Sequence, residues 1–260
     1  MTKKTTRMTM RRIAFFVEGK TERLFVTRLL KEAANDGQLL IDEKTARGGG
    51  KTGKPLVYTQ INAIRPTTNE QYYALIVDCG SENNVKVRLH GDHADLTNKG
   101  YERIVGMRDV RPTYDRDSVD LLRKKMRAAI NKQLAPVSFV LPLMEIEAWF
   151  LAEHSHFIRI SPEISPPAIQ QALGFNPETD DMSARDAPAD DLHDCYQLAG
   201  FAYNKTNAMR TVNALDMTFV WADLADRVPA LRHLVRIVND FLGTPASPQA
   251  ALAGLAREVE

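Results

Sequence analysis

Cysteine is scarce in this 260-residue chain: Cys79 and Cys195 are the two present, and neither stands in a CxxC spacing. That excludes a disulfide framework and a zinc ribbon. Long hydrophobic runs are missing too. The apolar stretch at 13–17, after the basic MTKKTTRMTMRR opening, is too short for a signal peptide and far short of the roughly 20 residues of a membrane span. Net charge is nearly absent, with 34 Lys+Arg against 33 Asp+Glu giving +1, and the 14 glycines and 13 prolines follow no repeat. With 44% hydrophobic residues the chain is neither a disordered tail nor a collagen-like polymer. These absences predict an intracellular, cytoplasmic, soluble protein with no membrane association, long enough for one large domain or two small ones.

What charge there is lies unevenly. Up to Arg65 basic residues are in excess, beginning with Lys3, Lys4, Arg7, Arg11 and Arg12, whereas Asp180, Asp181, Asp186, Asp190, Asp191 and Asp194 crowd one later stretch. A basic cluster is compatible with nucleic acid and equally with a solvated surface.

Hydrophobic periodicity outlines the fold. RIAFFV at 12–17 reads as a buried parallel strand. EGKTE at 18–22 makes a tight turn in which Gly19 eases the bend, and Leu24, Phe25, Leu29 and Leu30 recur at helical spacing up to a C-cap at Gly37. A second strand begins at 39–41 and closes at the Gly-rich stretch 47–54. Leu56, Ile61 and Ile64 predict a short helix, 72–77 a third strand, 85–98 a polar helix, 103–107 a strand, 118–134 an amphipathic helix and 137–143 a last strand. Alternating strands and helices predict an α/β fold, a mostly parallel sheet flanked by helices, over residues 1–155. A helical region over 156–260 serves packing or dimerisation, and its stripe of Leu215, Phe219, Leu224, Leu231, Leu234, Ile237 and Phe241 fits either a core or a homodimer interface.

Ligands in open parallel sheets bind beyond the carboxyl ends of the strands, and here those ends are acidic: Glu18, Asp78, Asp109, and Glu145 or Glu147. Carboxylates converging on one edge repel each other unless a cation neutralises them. Oxygen donors of this kind suit Mg²⁺ or Mn²⁺, which serve phosphoryl transfer by activating water and stabilising the leaving oxygen. Each acid taken singly could equally cap a helix or pair with a base. Glu22 lies one turn after Glu18, so both can face one ion, and Lys20 stands beside them within reach of a phosphate.

FFVEGKTERLFVTRLL resembles the opening of a TOPRIM domain, the module shared by topoisomerases, primases and OLD-like nucleases. IVGMRDVRP and LMEIEAWFLAE resemble a branch of that family found in bacterial antiphage loci beside an ABC-type ATPase. The resemblance covers most of 11–153, and YNKTNAMRTVNALD at 203–216 resembles the branch's helical tail more weakly. It implies a TOPRIM-like sheet and an Mg²⁺-dependent endonuclease acting on DNA or tRNA. In it Glu18 takes the place of the TOPRIM glutamate and Glu22 that of the second acid. Asp109 corresponds to the first Asp of Asp-x-Asp, Glu147 to the Glu before Ala-Trp, and Lys205 to a late lysine near the scissile phosphate. The motif departs from the family at Asp109-Val110-Arg111, where the second acid is missing. Asp78 either supplies the lost carboxylate or is itself the family aspartate, and the metal count stays open with it.

Other motifs carry less. Gly48-x-x-x-x-Gly53-Lys54 mimics a Walker A start, but Pro55 replaces the required Ser or Thr; a basic loop touching nucleic acid or a plain connection is the better reading. His90 and His93 lack further metal ligands and fit a solvated helix face. His154 and His156 could approach the acidic edge as proton donors. Trp149, Phe150 and Phe157 read as core.

The sequence therefore predicts a metal-dependent nuclease, the toxic effector of an antiphage system controlled by a partner ABC-type ATPase. Glu18, Glu22, Asp78, Asp109 and Glu147 would be metal ligands, and Lys20, Arg108 and Lys205 would neutralise the phosphate. The rival expectation is a non-catalytic regulatory subunit that keeps the fold, with Arg111 as its best argument; an unrelated α/β protein with merely structural acids is the third.

Overall fold

A computed structural model describes residues 10–34, 37–49, 53–67 and 69–243. Six strands form one sheet: β1 (Arg11–Val17), β2 (Leu39–Arg47), β3 (Val57–Gln60), β4 (Tyr72–Asp78), β5 (Arg103–Met107) and β6 (Val137–Val140), in the spatial order β3-β2-β4-β1-β5-β6. Every neighbouring pair is parallel except β2 and β3, which form an antiparallel hairpin. The fold is thus α/β, a mostly parallel six-stranded sheet flanked by helices and followed by a helical C-terminal region. β1 lies centrally, buried from Ile13 to Val17 on both faces, which is why its sequence is a continuous apolar run rather than an alternation.

Strand alternation sorts the side chains. Ile13, Phe15 and Val17 face one core, and Ala14 and Phe16 face the other. Helix α1 (Lys20–Ala33) covers the first face with Phe25, Val26, Leu29 and Leu30. Helices α2 (Glu82–Asn98) and α3 (Val119–Arg127) cover the second with Val85, Leu89, Leu96, Leu122 and Met126. The chain leaves β1 over one face to reach β2, and leaves β4 over the other to reach β5. The carboxyl edge at β1 is therefore where the connections diverge, the place a doubly wound sheet leaves open for a ligand.

Past β6 come α4 (Glu147–Ala152), α5 (His156–Ile160), α6 (Pro166–Leu173), α7 (Pro188–Gln197), α8 (Ala208–Ala214), short helical turns over 217–227, and α9 (Pro229–Leu242). Phe157, Tyr196, Val212, Leu234 and Phe241 join the same core as Phe15 and Phe25. The chain does change character near residue 155, but one core runs across that point, and the C-terminal helices roof the α1 side of the sheet. The apolar stripe from Leu215 to Phe241 is consumed in this roof. Among the described residues no helix is long and apolar enough to cross a membrane.

Four local expectations are corrected. Residues 56–64 form no helix; Val57–Gln60 is the exposed edge strand β3, whose pairing with β2 outweighs the helical spacing of Leu56, Ile61 and Ile64. The helix expected over 118–134 stops at Arg127, with Ala129 in the left-handed region (φ 65°). His93 is buried and hydrogen-bonded through Nε2 to the Ala135 carbonyl at 2.8 Å rather than solvated. Helix α1 ends at Ala33 with its cap at Ala34 rather than at Gly37. The basic residues Lys3, Lys4 and Arg7 lie outside the described residues.

A buried pair fixes α1 on the sheet: Arg23 NH1 meets Glu43 Oε1 of β2 at 2.6 Å, and Thr27 donates to the same oxygen at 2.8 Å. Phe25 packs against the rings of Trp149 and Phe150, with centroids 5.7 and 5.8 Å away, and so ties α1 to α4. Phe25→Ala should cost about 3–5 kcal/mol; a loss below 1 kcal/mol in urea denaturation would show that this contact does not hold the two helices together.

Candidate functional site

The carboxyl ends of β1 and β5 lie side by side, and a hydrogen bond joins them: the Asp109 backbone N–H donates to Glu18 Oε2 at 3.0 Å. Glu22, in the first turn of α1, accepts the Gly19 N–H at 2.9 Å through one oxygen, satisfying a donor that a helix start leaves open. Gly19 itself is extended (φ −160°), so the turn does not require glycine, contrary to the sequence expectation. Asp109 Oδ1 accepts the Ile146 N–H at 3.0 Å. Glu147 opens α4, and its Oε1 accepts the Tyr203 hydroxyl at 2.6 Å.

The turn that delivers Glu147 is strained. Met144 takes a left-handed conformation (φ 65°), uncommon for a residue with a side chain. Its carbonyl accepts from both Val110 N and Arg111 N, at 3.1 and 3.0 Å. Those bonds staple the segment after β6 to the segment after β5 and bring Glu147 to Asp109. Strain retained at such a place is characteristic of a functional site.

Four carboxylates thus gather with little water. Asp109 and Glu147 are 1% and 0% exposed, and Glu22 2%. Burial pushes the Asp109 carboxyl well above its usual range, and Glu22, Glu18 and Glu147 push it further. Burial also raises Glu22 to about 8, assisted by repulsion from Glu18 and Glu147. Glu18 is raised by burial against the opposing pull of the Asp109 N–H. Glu147 is raised by burial despite Lys205 and Tyr203. Lys205 answers them: its ammonium stands 3.7 Å from Asp109 Oδ2. Desolvation alone would lower its pKa, but the four carboxylates outweigh that and raise it.

The positive side chains are arranged around this cluster. Lys20 Nζ donates to the Thr206 carbonyl at 2.5 Å, linking the start of α1 to the Lys205 turn. Arg108 is buried, donates through Nε to the Asp109 carbonyl at 2.9 Å and lies over the Tyr114 ring. Asp78, paired with Val17 next to Glu18, has partners of its own. It ends β4 with its Oδ1 accepting the Gly80 N–H at 2.9 Å and Arg47 NH1 at 3.2 Å, so its carboxylate is engaged by a cation of its own. Arg111, in the place of the missing second Asp, donates to the Asp186 carbonyl and turns away from the cluster. Glu145 is likewise committed elsewhere, accepting the Ala189 N–H at the start of α7 at 3.0 Å. His156 is buried and held to the Glu153 carbonyl, away from the four acids.

Sequence reasoning missed Tyr203. The stretch around it was legible as a unit with Lys205, but a tyrosine in a polar turn carries no sign that its hydroxyl reaches a glutamate 56 residues earlier.

The donor set suits a hard divalent cation in kind. Glu22 Oε1, Asp109 Oδ2 and Glu147 Oε2 are buried with no hydrogen-bond partner among the described residues, and unpaired buried oxygens of this sort call for a cation or an ordered donor. Among the described residues no three His, Cys, Asp or Glu side chains already surround one point at ligating distance; Lys205 supplies the neutralising charge.

Residues 17–220 match the family described as Domain of unknown function (DUF4276). No curated protein and no solved structure matches the chain.

The raised carboxyl pKa values set the sign of a pH effect. Glu22 binds its proton more tightly folded, near pH 8, than unfolded, near 4.5, so stability is greatest below 4.5 as far as this group is concerned and falls as pH rises toward 8. In chelator, urea midpoints should decline over that window, and Glu22→Gln should remove part of the decline, a few kcal/mol at most at about 1.4 kcal/mol per pKa unit. Parallel curves for the two proteins would show that Glu22 carries no such strain.

Proposed function

The chain belongs to the DUF4276 family, a domain of unknown function, and from its own site we propose that it is a metal-dependent phosphodiesterase of TOPRIM type, a nuclease acting on DNA or tRNA. One observation carries the reading: three buried carboxylate oxygens, on Glu22, Asp109 and Glu147, have no hydrogen-bond partner among the described residues, the Asp109 oxygen facing the Lys205 ammonium at 3.7 Å, beside Glu18 at the carboxyl edge of a parallel sheet. Acids are ordinarily kept from such crowding, because each pays desolvation and mutual repulsion; clusters of raised pKa mark functional sites.

Glu18, Glu22, Asp109 and Glu147 would hold Mg²⁺ or Mn²⁺. Bound there, the ion supplies Lewis acidity toward a phosphoryl oxygen and a water acidic enough to attack at neutral pH. The chain's own cations do the rest. Lys205, kept protonated by the carboxylates around it, would pair with a substrate phosphate beside Asp109. Arg108 NH2 is buried with no hydrogen-bond partner among the described residues and could donate to an oxygen on which charge develops. Lys20 lies on the same rim. Tyr203 orients Glu147, as supporting groups around a metal commonly do.

Among the described residues of the Gly48 stretch, Gly49 N donates to the Lys54 carbonyl at 2.8 Å, and Lys54 leads into strand β3 rather than into the helix that a phosphate loop requires. Nucleotide control would then come from a separate ABC-type ATPase, consistent with a cytoplasmic effector in antiphage defence. The rival is a non-catalytic subunit in which Lys205 permanently takes the cation's place; Arg111 and the absence of a preformed ligand trio among the described residues favour it.

Incubating purified protein with plasmid and with total tRNA, in Mg²⁺, Mn²⁺ or chelator, separates the two. Metal-dependent cleavage should appear, and Glu18→Ala and Asp109→Asn should each reduce it more than 100-fold while circular dichroism is unchanged. Inertness of the wild type on both substrates, alone and with an ATPase encoded beside it, favours the binding subunit. Tyr203→Phe should lose about 10–100-fold in metal affinity or rate, read as a rise in the Mn²⁺ concentration at half-maximal activity; an unchanged metal dependence would make Tyr203 a packing residue only.

A further inference from the structure

The carboxyl edge continues beyond the acid cluster, and what stands there is an arginine. Arg47 ends β2, two strands from β1, with β4 between them. At about 4.8 Å per strand it lies on the order of 10 Å along the edge from Glu18. Its direction follows from register: Thr45 pairs with Asp78 and Asp78 with Val17, so Arg47, two residues past Thr45, points to the same face as α1 and the acids.

Its guanidinium is held by one nitrogen. NH1 donates to Asp78 Oδ1 at 3.2 Å, to the Asp78 carbonyl at 3.3 Å and to the Ala46 carbonyl at 3.1 Å. Nε and NH2 have no partner among the described residues, and the side chain is 57% exposed. The ground beneath it is shaped for it. Gly80 has φ +81°, a conformation that favours glycine, and a Cβ there would come within 2.8 Å of Arg47 NH1 and push the guanidinium aside. The next residue is anchored as well: the Gly48 carbonyl accepts from Arg88 NH2 at 2.7 Å, and Arg88 is buried.

An arginine fixed by NH1 presents its Nε–NH2 edge as a ready two-pronged donor, the geometry that matches a phosphate. We propose that Arg47, oriented by Asp78 and seated on Gly80, is an anchor for a backbone phosphate of the polynucleotide that the acid cluster works on. The inference rests on the phosphodiesterase reading and adds a phosphate contact on the order of 10 Å from the acid cluster. It also gives Asp78 a role apart from metal: it positions the anchor.

The test needs no catalysis. Binding of a fluorescein-labelled 20-nucleotide single-stranded DNA and of labelled tRNA is measured by anisotropy in chelator, across 50–300 mM salt, with thermal melts run alongside. Arg47→Ala should weaken binding of the probe that the wild type binds by about tenfold or more, the scale of a hydrogen bond to a charged group. It should also flatten the log–log salt slope by about 0.7 for the single strand. Arg47→Lys, which restores the charge without the fork and guards against misfolding from an unpaired Asp78, should fall between the two. Equal affinity and slope for wild type, Arg47→Ala and Arg47→Lys overturns the anchor while leaving the nuclease reading intact. Failure of the wild type to bind either probe overturns both. Whichever probe responds identifies DNA or RNA as the partner.

Discussion

Four carboxylates share one lysine at the end of a parallel sheet, and the surrounding architecture follows from the cost of keeping them there. Burial disfavours each charge, and every neighbour of like sign adds to the penalty. The protein offsets this with backbone donors spent one per acid: Asp109 N–H on Glu18, Gly19 N–H on Glu22 and Ile146 N–H on Asp109. Tyr203 serves Glu147, and Lys205 serves all four through space. What is left over is unusual for an interior, namely three carboxylate oxygens with no hydrogen-bond donor among the described residues, one of them facing Lys205. An apolar replacement would fold more comfortably, so the arrangement is one that stability by itself would not retain.

Holding such a cluster requires rigid supports from distant parts of the chain. The Arg23–Glu43 pair and the Phe25–Trp149–Phe150 contacts set the rotation of α1 and hence the direction of Glu22. The left-handed Met144 and its doubly hydrogen-bonded carbonyl fix the crossing from β6 to α4. The C-terminal helices share the core of the sheet and carry Tyr203 and Lys205 into the site. The helical region is therefore half of the candidate site as well as its roof, which explains why a division near residue 155 separates composition but not packing.

The edge reads as a line of alternating roles. Arg47 with Asp78, then Glu18 with Glu22, then Asp109 with Lys205 follow the strand order β2, β4, β1, β5. In the proposed reading a phosphate chain laid along that line would meet a donor fork first and the acidic centre a few nucleotides later. Two acids at strand ends on either side of β1 thus take different parts: Asp78 orients Arg47, and Asp109 keeps a buried oxygen that only Lys205 faces among the described residues.

The sequence by itself determined the parallel sheet, because a doubly buried strand must be an unbroken apolar run, as at 12–17 and 72–77. It also made Glu18, Glu22, Asp109, Glu147 and Lys205 candidates, since strand-end and first-turn positions follow from local periodicity and the family motifs extended that to Lys205. Tertiary structure alone decided which acids meet. Asp78 and Asp109 are equivalent as strand ends, and only the placing of Arg47 on β2 and of Lys205 past residue 200 gives them opposite partners. The edge strand at 57–60 and the Tyr203–Glu147 bond were hidden for the same reason: periodicity reports on neighbours three or four residues away, whereas pairing across a sheet and the neutralisation of a buried charge depend on residues that only folding brings together.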